Sequence, residues 1–254
     1  MAHRLRLLKT GAHDARFNMG LDEAVLEAVS AGKSEPTLRL YAWTPAAVSI
    51  GYFQGLKEEV DEAACAERGI DVVRRITGGG AVFHQKEITY SIVLPEGHAL
   101  APASILKSYE LICGGVIAGL GHLGVASTFA PINDIVSGGK KVSGNAQTRK
   151  HHCLLQHGTV LLDVDVDLMF TILKVPVEKA KGKLIEEVKA RVTGLKGLLG
   201  RELPYAEAEE AMADGFAEAL DLELVYAEPT KAELARAAEL GKSRFGSTEW
   251  TGKR

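Results

Sequence analysis

Polar and apolar positions alternate from Arg4 to Lys9 as an edge strand would, and the period then changes. Leu21, Ala24, Val25 and Ala28 recur at steps of three and four, with Asp22 and Glu23 in the first turns, so Met19 to Ala28 reads as an amphipathic helix introduced by Asn18. Two β-like runs follow, Thr37 to Trp43 and Ala47 to Tyr52. Thr44-Pro45 between them favours a turn, and the runs read as adjacent strands. Asp61 to Arg68 reads as a short helix stopped by Gly69, and Ile70 to Arg75 as a strand entering Thr77-Gly78-Gly79-Gly80.

Ala81 to His84 and Ile88 to Leu94 are strand-like, the second alternating cleanly. The spacing of Ile105, Tyr109, Ile112, Val116 and Leu120 predicts a helix from about Ala103 to Leu123, weak at Gly119-Leu120-Gly121. Asn133 to Val136 and Lys141 to Ser143 flank Ser137-Gly138-Gly139-Lys140, the pattern of two strands joined by a glycine hairpin, and Cys153 to Asp163 reads as another strand. From Asp165 onward helix formers dominate, with helical segments near Asp167 to Leu173, Val177 to Ala190, Tyr205 to Leu220 and Thr230 to Phe245 around one strand, Glu223 to Tyr226. The pattern predicts a single α/β domain over 1–254 whose helical C-terminal third, about 175–254, packs on its side. Any internal boundary would fall at 175–200.

Composition narrows the classes. Hydrophobic residues are 46% and charged residues 25% of the 254, the balance of a globular chain. Lys and Arg total 30 against 33 acids, a formal charge of −3, so the clustered basic excess of a nucleic-acid binder is missing. Three widely spaced cysteines without a CxxC pair support neither a disulfide framework nor a zinc ribbon. The polar N-terminus is no signal peptide, and no run approaches the roughly 18 apolar residues of a membrane span. The expected location is cytoplasmic.

Three successive glycines, Gly78 to Gly80, remove every Cβ at one point between two strands, so backbone can approach a ligand and turn N–H groups toward an anion; a ligand-free glycine hairpin is the simpler reading. No Lys-Ser/Thr pair follows, which excludes a P-loop, and Ala81-Val82-Phe83 is β-like, which excludes a Rossmann fingerprint. Arg74 and Arg75 leave opposite strand faces, so one points into the site and the other makes a surface ion pair. Asn133-Asp134 offers oxygen donors suited to Mg²⁺ held jointly with phosphates, or simply turn chemistry. Of Lys140 and Lys141, one can face inward to stabilise developing charge while the other stays in water. His151, His152 and His157 share one segment, but His151 and His152 point to opposite strand faces, against zinc. His84 and His157 read as hydrogen-bonding groups of a pocket or as satisfied core residues.

Four tracts in order, Arg74 to His84, Asn133 to Val136, Lys140 to Ala146 and Gln156 to Leu162, resemble those of lipoate–protein ligases. Asn18 to Ala24, Ser49 to Gln54, Arg191 to Thr193 and Ser247 to Trp250 extend the likeness over nearly the whole chain. The resemblance implies an α/β (α+β) fold, a mixed β-sheet flanked by helices, shared with biotin ligases and class II aminoacyl-tRNA synthetases. It implies activation of lipoate by Mg²⁺ and ATP to lipoyl-AMP, then transfer of the lipoyl group to a lysine of a carrier. That carrier would be glycine cleavage H protein, a dehydrogenase lipoyl domain or another lipoate-binding protein.

By the same resemblance Lys141 is the catalytic lysine between acid carbonyl and α-phosphate, and Arg75 lies near the acyl-phosphate. Asp134, with Asn133, marks the ATP side and is the candidate metal ligand. Gly78, Gly79, Gly80, Ala81 and Phe83 line the adenylate beside Thr77 and His84, and Ser143, Gly144, Ala146 and His157 complete the binding set. The apolar tail would enter a tunnel walled by parts of Ser49 to Tyr52 and Val142 to Ala146. Ending soon after Trp250, the chain resembles the short archaeal form, in which an accessory domain is a separate polypeptide; it would be either two-component or competent alone. Octanoyltransferases share the tract from Lys141 to Arg149 but need no ATP and form a thioester on a cysteine just before the segment at Asn133. Here Ser127 to Ile132 has none, and Cys65, Cys113 and Cys153 read as core residues. The expectation is therefore an ATP-dependent ligase; the alternatives are an octanoyl or lipoyl acyltransferase between carriers, or a non-catalytic carrier-binding subunit.

Overall fold

The structure is a computed structural model that describes residues 2–174 and 181–254. Strand β1 (His3–His13) leads into α1 (Ala15–Ser30), whose N-cap is Asp14, its carboxylate accepting from Phe17 N at 2.9 Å. Asn18, read as the start of that helix, lies inside it, and its side-chain amide donates to the carbonyls of His13 and Ala42. β2 (Thr37–Trp43) and β3 (Ala47–Ile50) are followed by α2 (Leu56–Glu59), α3 (Glu62–Glu67), β4 (Asp71–Arg74), β5 (Val82–His84) and β6 (Glu87–Pro95). After α4 (Ile105–His122) come β7 (Thr128–Ala130), β8 (Asp134–Ser137), β9 (Lys140–Lys150) and β10 (Cys153–Leu161). Helices α5 (Val166–Ile172), α6 (Lys181–Arg191), α7 (Leu195–Leu199) and α8 (Tyr205–Ala219) precede β11 (Leu222–Tyr226), α9 (Lys231–Leu240), a π turn and α10 (Thr248–Thr251). Part of the helix expected over Val177 to Ala190 lies outside the described residues.

An eight-stranded mixed sheet runs β11-β1-β2-β6-β10-β9-β8-β7, with β1 parallel to both neighbours and the remaining pairs antiparallel. β1 is thus not the edge strand its basic residues suggest. Arg6 is buried and meets Glu233 of α9 through two hydrogen bonds of 2.9 and 2.6 Å, a pairing across the chain that alternation cannot reveal. β2 and β3 do not pair either. The turn at Pro45 carries β3 out of the large sheet into a second one, ordered β4-β3-β5.

Helices cover both faces of the large sheet. On one side α4 and α8 bury Ile112, Val116, Met212 and Phe216 against Leu38, Tyr90 and Leu154. Gly119, expected to weaken α4, is where the two helices touch: a Cβ on Gly215 would lie 2.1 Å from Gly119 N. On the other side α1 and α9 bury Met19, Leu21, Val25 and Leu240 against Tyr41, Val93 and Leu155. The outer face of the small sheet is closed by α2, α3 and α5 through Leu56, Val60, Cys65 and Ile172. Each core side chain fully removed from water contributes about 1.5–3 kcal/mol. The glycine hairpin forms as the sequence predicts, with Gly138 and Gly139 at φ 56° and 78° between β8 and β9. His151 and His152 sit not on a strand but in the turn between β9 and β10, both at positive φ and both exposed.

Candidate active site

A cavity of about 270 Å³ lies between the two sheets. Tyr41, Trp43, Thr89 and His157 to Thr159 face it from the large sheet, and Ser49, Phe83, His84 and Gly79 to Ala81 face it from the small one. Lys141, Gly144, Asn145 and Ala146 of β9 line one end with Asn133. Of the residues singled out in the sequence, Arg75, Gly79, Gly80, Ala81, Phe83, His84, Asn133, Lys141, Gly144, Ala146 and His157 therefore converge. Thr77, Gly78, Asp134 and Ser143 do not line the cavity. Thr77 and Ser143 are fully buried behind it, Asp134 lies beside Lys141, and the Gly78 carbonyl is turned toward Arg75. Of the tunnel walls expected from sequence, Ser49 and the Gly144 to Ala146 stretch contribute, whereas Ile50 and Tyr52 do not.

Lys141 reaches this wall through a β-bulge. Ile135 pairs with Ser143 and Val136 with Lys141, so Val142 is an extra residue, and Lys141 lies on the same face as Gly144 although three positions separate them. Its side chain crosses Gly144: a Cβ there would sit 2.8 Å from Lys141 Nζ. Nζ is 2.7 Å from Asp134 Oδ1, and both side chains are more than a third exposed. Thr193 N donates to the Lys141 carbonyl at 2.9 Å, so the segment after α6 braces this end of β9.

Both arginines of the strand before the glycines are buried, and neither makes an ion pair among the described residues. Arg74, expected at the surface, donates to the carbonyls of Gly51, Tyr52, Gln54, Trp250 and Thr251, tying the loop after β3 to α10. Arg75 engages all five of its N–H groups: Ser49 O at 2.9 Å, Ser49 Oγ at 3.1 Å, Thr77 Oγ1 at 3.1 Å, and the carbonyls of Gly78 and Gly80 at 2.7 Å each. It fixes the glycine loop and places positive charge beside the cavity. Burial lowers its guanidinium pKa to about 10, which leaves it charged at neutral pH.

Behind the wall lies a polar network that sequence reasoning missed. Asp22 accepts from Arg39 at 2.8 Å, Ser91 at 2.8 Å and Tyr41 at 3.1 Å, and lies 3.2 Å from His157 Nδ1. Burial pushes the Asp22 carboxyl up, but His157 and Arg39 outweigh it and hold the group below its ordinary value. Burial pushes the His157 imidazole down, against the pull of Asp22. A second chain, Gln156 to Tyr90 to Asn145, orders the β9 wall: Tyr90 donates to Asn145 Oδ1 at 2.7 Å, and Asn145 Nδ2 reaches the Asn133 carbonyl at 2.9 Å. Asn145 lies inside the quoted Gly-Asn-Ala tract, the signal that could have found it; Tyr41, Trp43 and Thr89 gave none.

None of the cysteines lines the cavity. All three are buried, and desolvation raises the Cys113 thiol to about 12, Cys65 to about 11, and Cys153 above its ordinary value. Among the described residues no three His, Cys, Asp or Glu side chains are grouped to hold a metal ion. No described helix is long and apolar enough to cross a membrane.

The family model described as the lipoyl protein ligase A/B catalytic domain matches residues 14–217. The chain belongs to that family. Within it, octanoyltransferase LipM of Kyrpidia tusciae is 39% identical over 96% of this chain and 97% of the relative. The LipM of Brevibacillus brevis is 36% identical over 98% and 99%. Among solved structures, the bi-partite lipoate protein ligase of Thermoplasma acidophilum, studied with its E2 lipoyl domain, superposes with a TM-score of 0.87 at 30% identity, covering 99% of this chain and 97% of that one. A lipoate-protein ligase A bound with ATP gives 0.84 at 28% identity, covering 99% of each chain. The mixed sheet flanked by helices is thus the catalytic fold of lipoyl ligases, and the chain is an enzyme of the lipoate ligase and transferase family.

Proposed function

We propose that this chain transfers a medium-chain acyl group, octanoyl or lipoyl, from an activated donor to a lysine of a lipoyl carrier protein. The observation that carries this reading is the largely apolar inter-sheet cavity with Lys141 Nζ at one end. A saturated chain would lie among Trp43, Phe83 and Met169, placing its carbonyl near Lys141 and Arg75. Negative charge grows on the carbonyl oxygen as an amine adds. A preorganised cation there is worth about 3–4 kcal/mol, or on the order of 10²–10³ in rate. The near full-length similarity to octanoyltransferases supports an acyl thioester as donor, without ATP.

A second reading, ATP-dependent ligation, is favoured by the absence of a thiol from the cavity, because adenylation needs no protein nucleophile. In that case Lys141 would also meet the α-phosphate. Mg²⁺ would rest on substrate phosphates and Asp134, a carboxylate beside the cavity, since the described residues offer no all-protein cage. An accessory polypeptide would then be a further partner.

One experiment separates the readings: the purified chain and an unmodified lipoyl domain, given either an octanoyl thioester alone or free lipoate with Mg²⁺ and ATP. The domain's mass is read over time. Modification from the thioester without ATP supports transfer; modification only from the free acid with ATP replaces it with ligation.

A further inference from the structure

Ser49 is buried beside the cavity with its hydroxyl held at both ends. Its Oγ is 2.7 Å from His84 Nε2, and His84 Nδ1 is 2.7 Å from Glu87 Oε1. We infer that Ser49, His84 and Glu87 form a catalytic triad in which Ser49 takes the acyl group as an ester before it reaches the carrier lysine. The inference rests on the transfer reading above and supplies a nucleophile in a cavity that no cysteine lines.

A weak nucleophile needs a base within hydrogen-bond reach and a third group to orient that base. Glu87 fills the third role. It is buried, its Oε1 also accepts from Thr89 Oγ1 at 2.7 Å, and its Oε2 has no partner, so His84 is the group placed to balance its charge. The imidazole is pinned by Trp43, stacked at 4.0 Å and 16°, whose Nε1 donates to Thr89 at 2.8 Å. With Nδ1–H directed at Glu87, Nε2 accepts the Ser49 proton. On the other side Arg75 Nη1 donates to Ser49 Oγ at 3.1 Å, a fixed cation where the alkoxide charge develops.

The superficially similar series Thr77, His157, Asp22 lacks two of these properties. Thr77 does not line the cavity, and Asp22 is already engaged by Arg39, Ser91 and Tyr41.

The chemistry balances in two steps. Ser49 Oγ bonds to the thioester carbonyl carbon as its proton passes to His84 Nε2; the C–S bond breaks, and the departing sulfur takes that proton. The neutral amine of the carrier lysine then adds to the ester carbonyl and gives a proton to His84, which returns it to Ser49 Oγ as the C–O bond breaks. Ester and amide form in turn without ATP.

The test treats the full chain with the octanoyl thioester of N-acetylcysteamine, quenches in acid and maps the adduct by peptide mass spectrometry. One octanoyl group is expected on the peptide carrying Ser49, stable to neutral hydroxylamine. Ser49→Ala, checked for folding by its thermal midpoint, should lose the adduct and slow transfer to a lipoyl domain by at least about 10³-fold. Ser49→Cys should restore an adduct that hydroxylamine now removes. His84→Gln should slow acylation by about 10²–10⁴-fold. Glu87→Gln, acting through His84, should lower kcat for acylation while leaving KM for the thioester unchanged, and Glu87→Asp should restore part of the rate. Transfer by Ser49→Ala at the wild-type rate, or an adduct mapping elsewhere, overturns the triad while leaving the transfer reading intact. If the wild type proves to need ATP, an octyl fluorophosphonate decides separately: phosphonylation of Ser49 that His84→Gln abolishes upholds the triad, and an unlabelled Ser49 overturns it.

Discussion

Two ion pairs of nearly equal length have opposite surroundings. Asp22 and Arg39 meet at 2.8 Å with their side chains 2% and 1% exposed, whereas Asp134 and Lys141 meet at 2.7 Å with 35% and 39% exposed. The inner pair is closed by further bonds: Arg39 reaches Asn18 Oδ1 at 2.6 Å and Thr10 Oγ1 at 3.0 Å and lies 3.8 Å from the Tyr41 ring centre. The outer pair has water on one side and the cavity on the other. Distance alone therefore says little about role. A buried charge without its partner is costly, which suits the inner pair to holding α1 on the sheet; a half-exposed pair separates cheaply, which frees Lys141 for a substrate.

Breaking the inner pair tests this most severely. Asp22→Ala should destabilise the fold by about 3–5 kcal/mol, because it leaves Arg39 charged in the interior. A shift of less than about 1 kcal/mol in urea unfolding would mean that the network is not structural. Lys141→Ala should do the reverse. Unfolding should change by no more than about 1 kcal/mol, while acyl transfer to a lipoyl domain falls on the order of 10²–10³-fold. Wild-type turnover by that variant would remove Lys141 from the mechanism.

The difference between the pairs also explains what the sequence shows in advance. Lys141, Gly144 and Ala146 stand in one compact tract, and the hairpin before them announces itself through Gly138-Gly139. The bulge at Val142 that turns Lys141 toward Gly144 has no such signature, because it depends on how β8 pairs. The inner network is less legible still. Asp22 reads as an ordinary first-turn acid of a helix, Arg6 as a basic position of an edge strand and Arg74 as the partner in a surface ion pair, and Arg39 draws no reading at all, since their partners lie elsewhere in the chain; Glu233 is 227 positions from Arg6. Ser49, His84 and Glu87 are likewise brought together by strands of two different sheets.

A smaller perturbation probes the second polar chain. Gly158 has no side chain because Asn145 and Tyr90 occupy its place: a Cβ would lie 1.9 Å from Asn145 Oδ1 and 2.7 Å from Tyr90 Cε1. Gly158→Ala should cost about 1–3 kcal/mol in overpacking and lower activity by displacing Asn145 from Asn133. An unchanged thermal midpoint would show that Asn145 can move aside freely.

The most gradual effect is that of pH. The folded Asp22 carboxyl sits below its ordinary value, so its stabilisation is present above the unfolded carboxylate range and is lost as pH falls through the folded one. The folded His157 imidazole is also depressed, through burial. Below about pH 6.5 the unfolded chain takes up a proton that folded His157 refuses, so stability declines in the same direction. Acidification from about pH 7.5 to about pH 3 should thus lower the thermal midpoint, first below about pH 6.5 through His157 and then below about pH 5 through Asp22. His157→Gln cannot titrate and should flatten the portion of that fall nearest about pH 6.5 while leaving the later carboxylate portion. A midpoint that rises on acidification would mean that His157 is stabilised as the cation, and the interior would then be holding a charge pair at His157 and Asp22 as well as at Arg39.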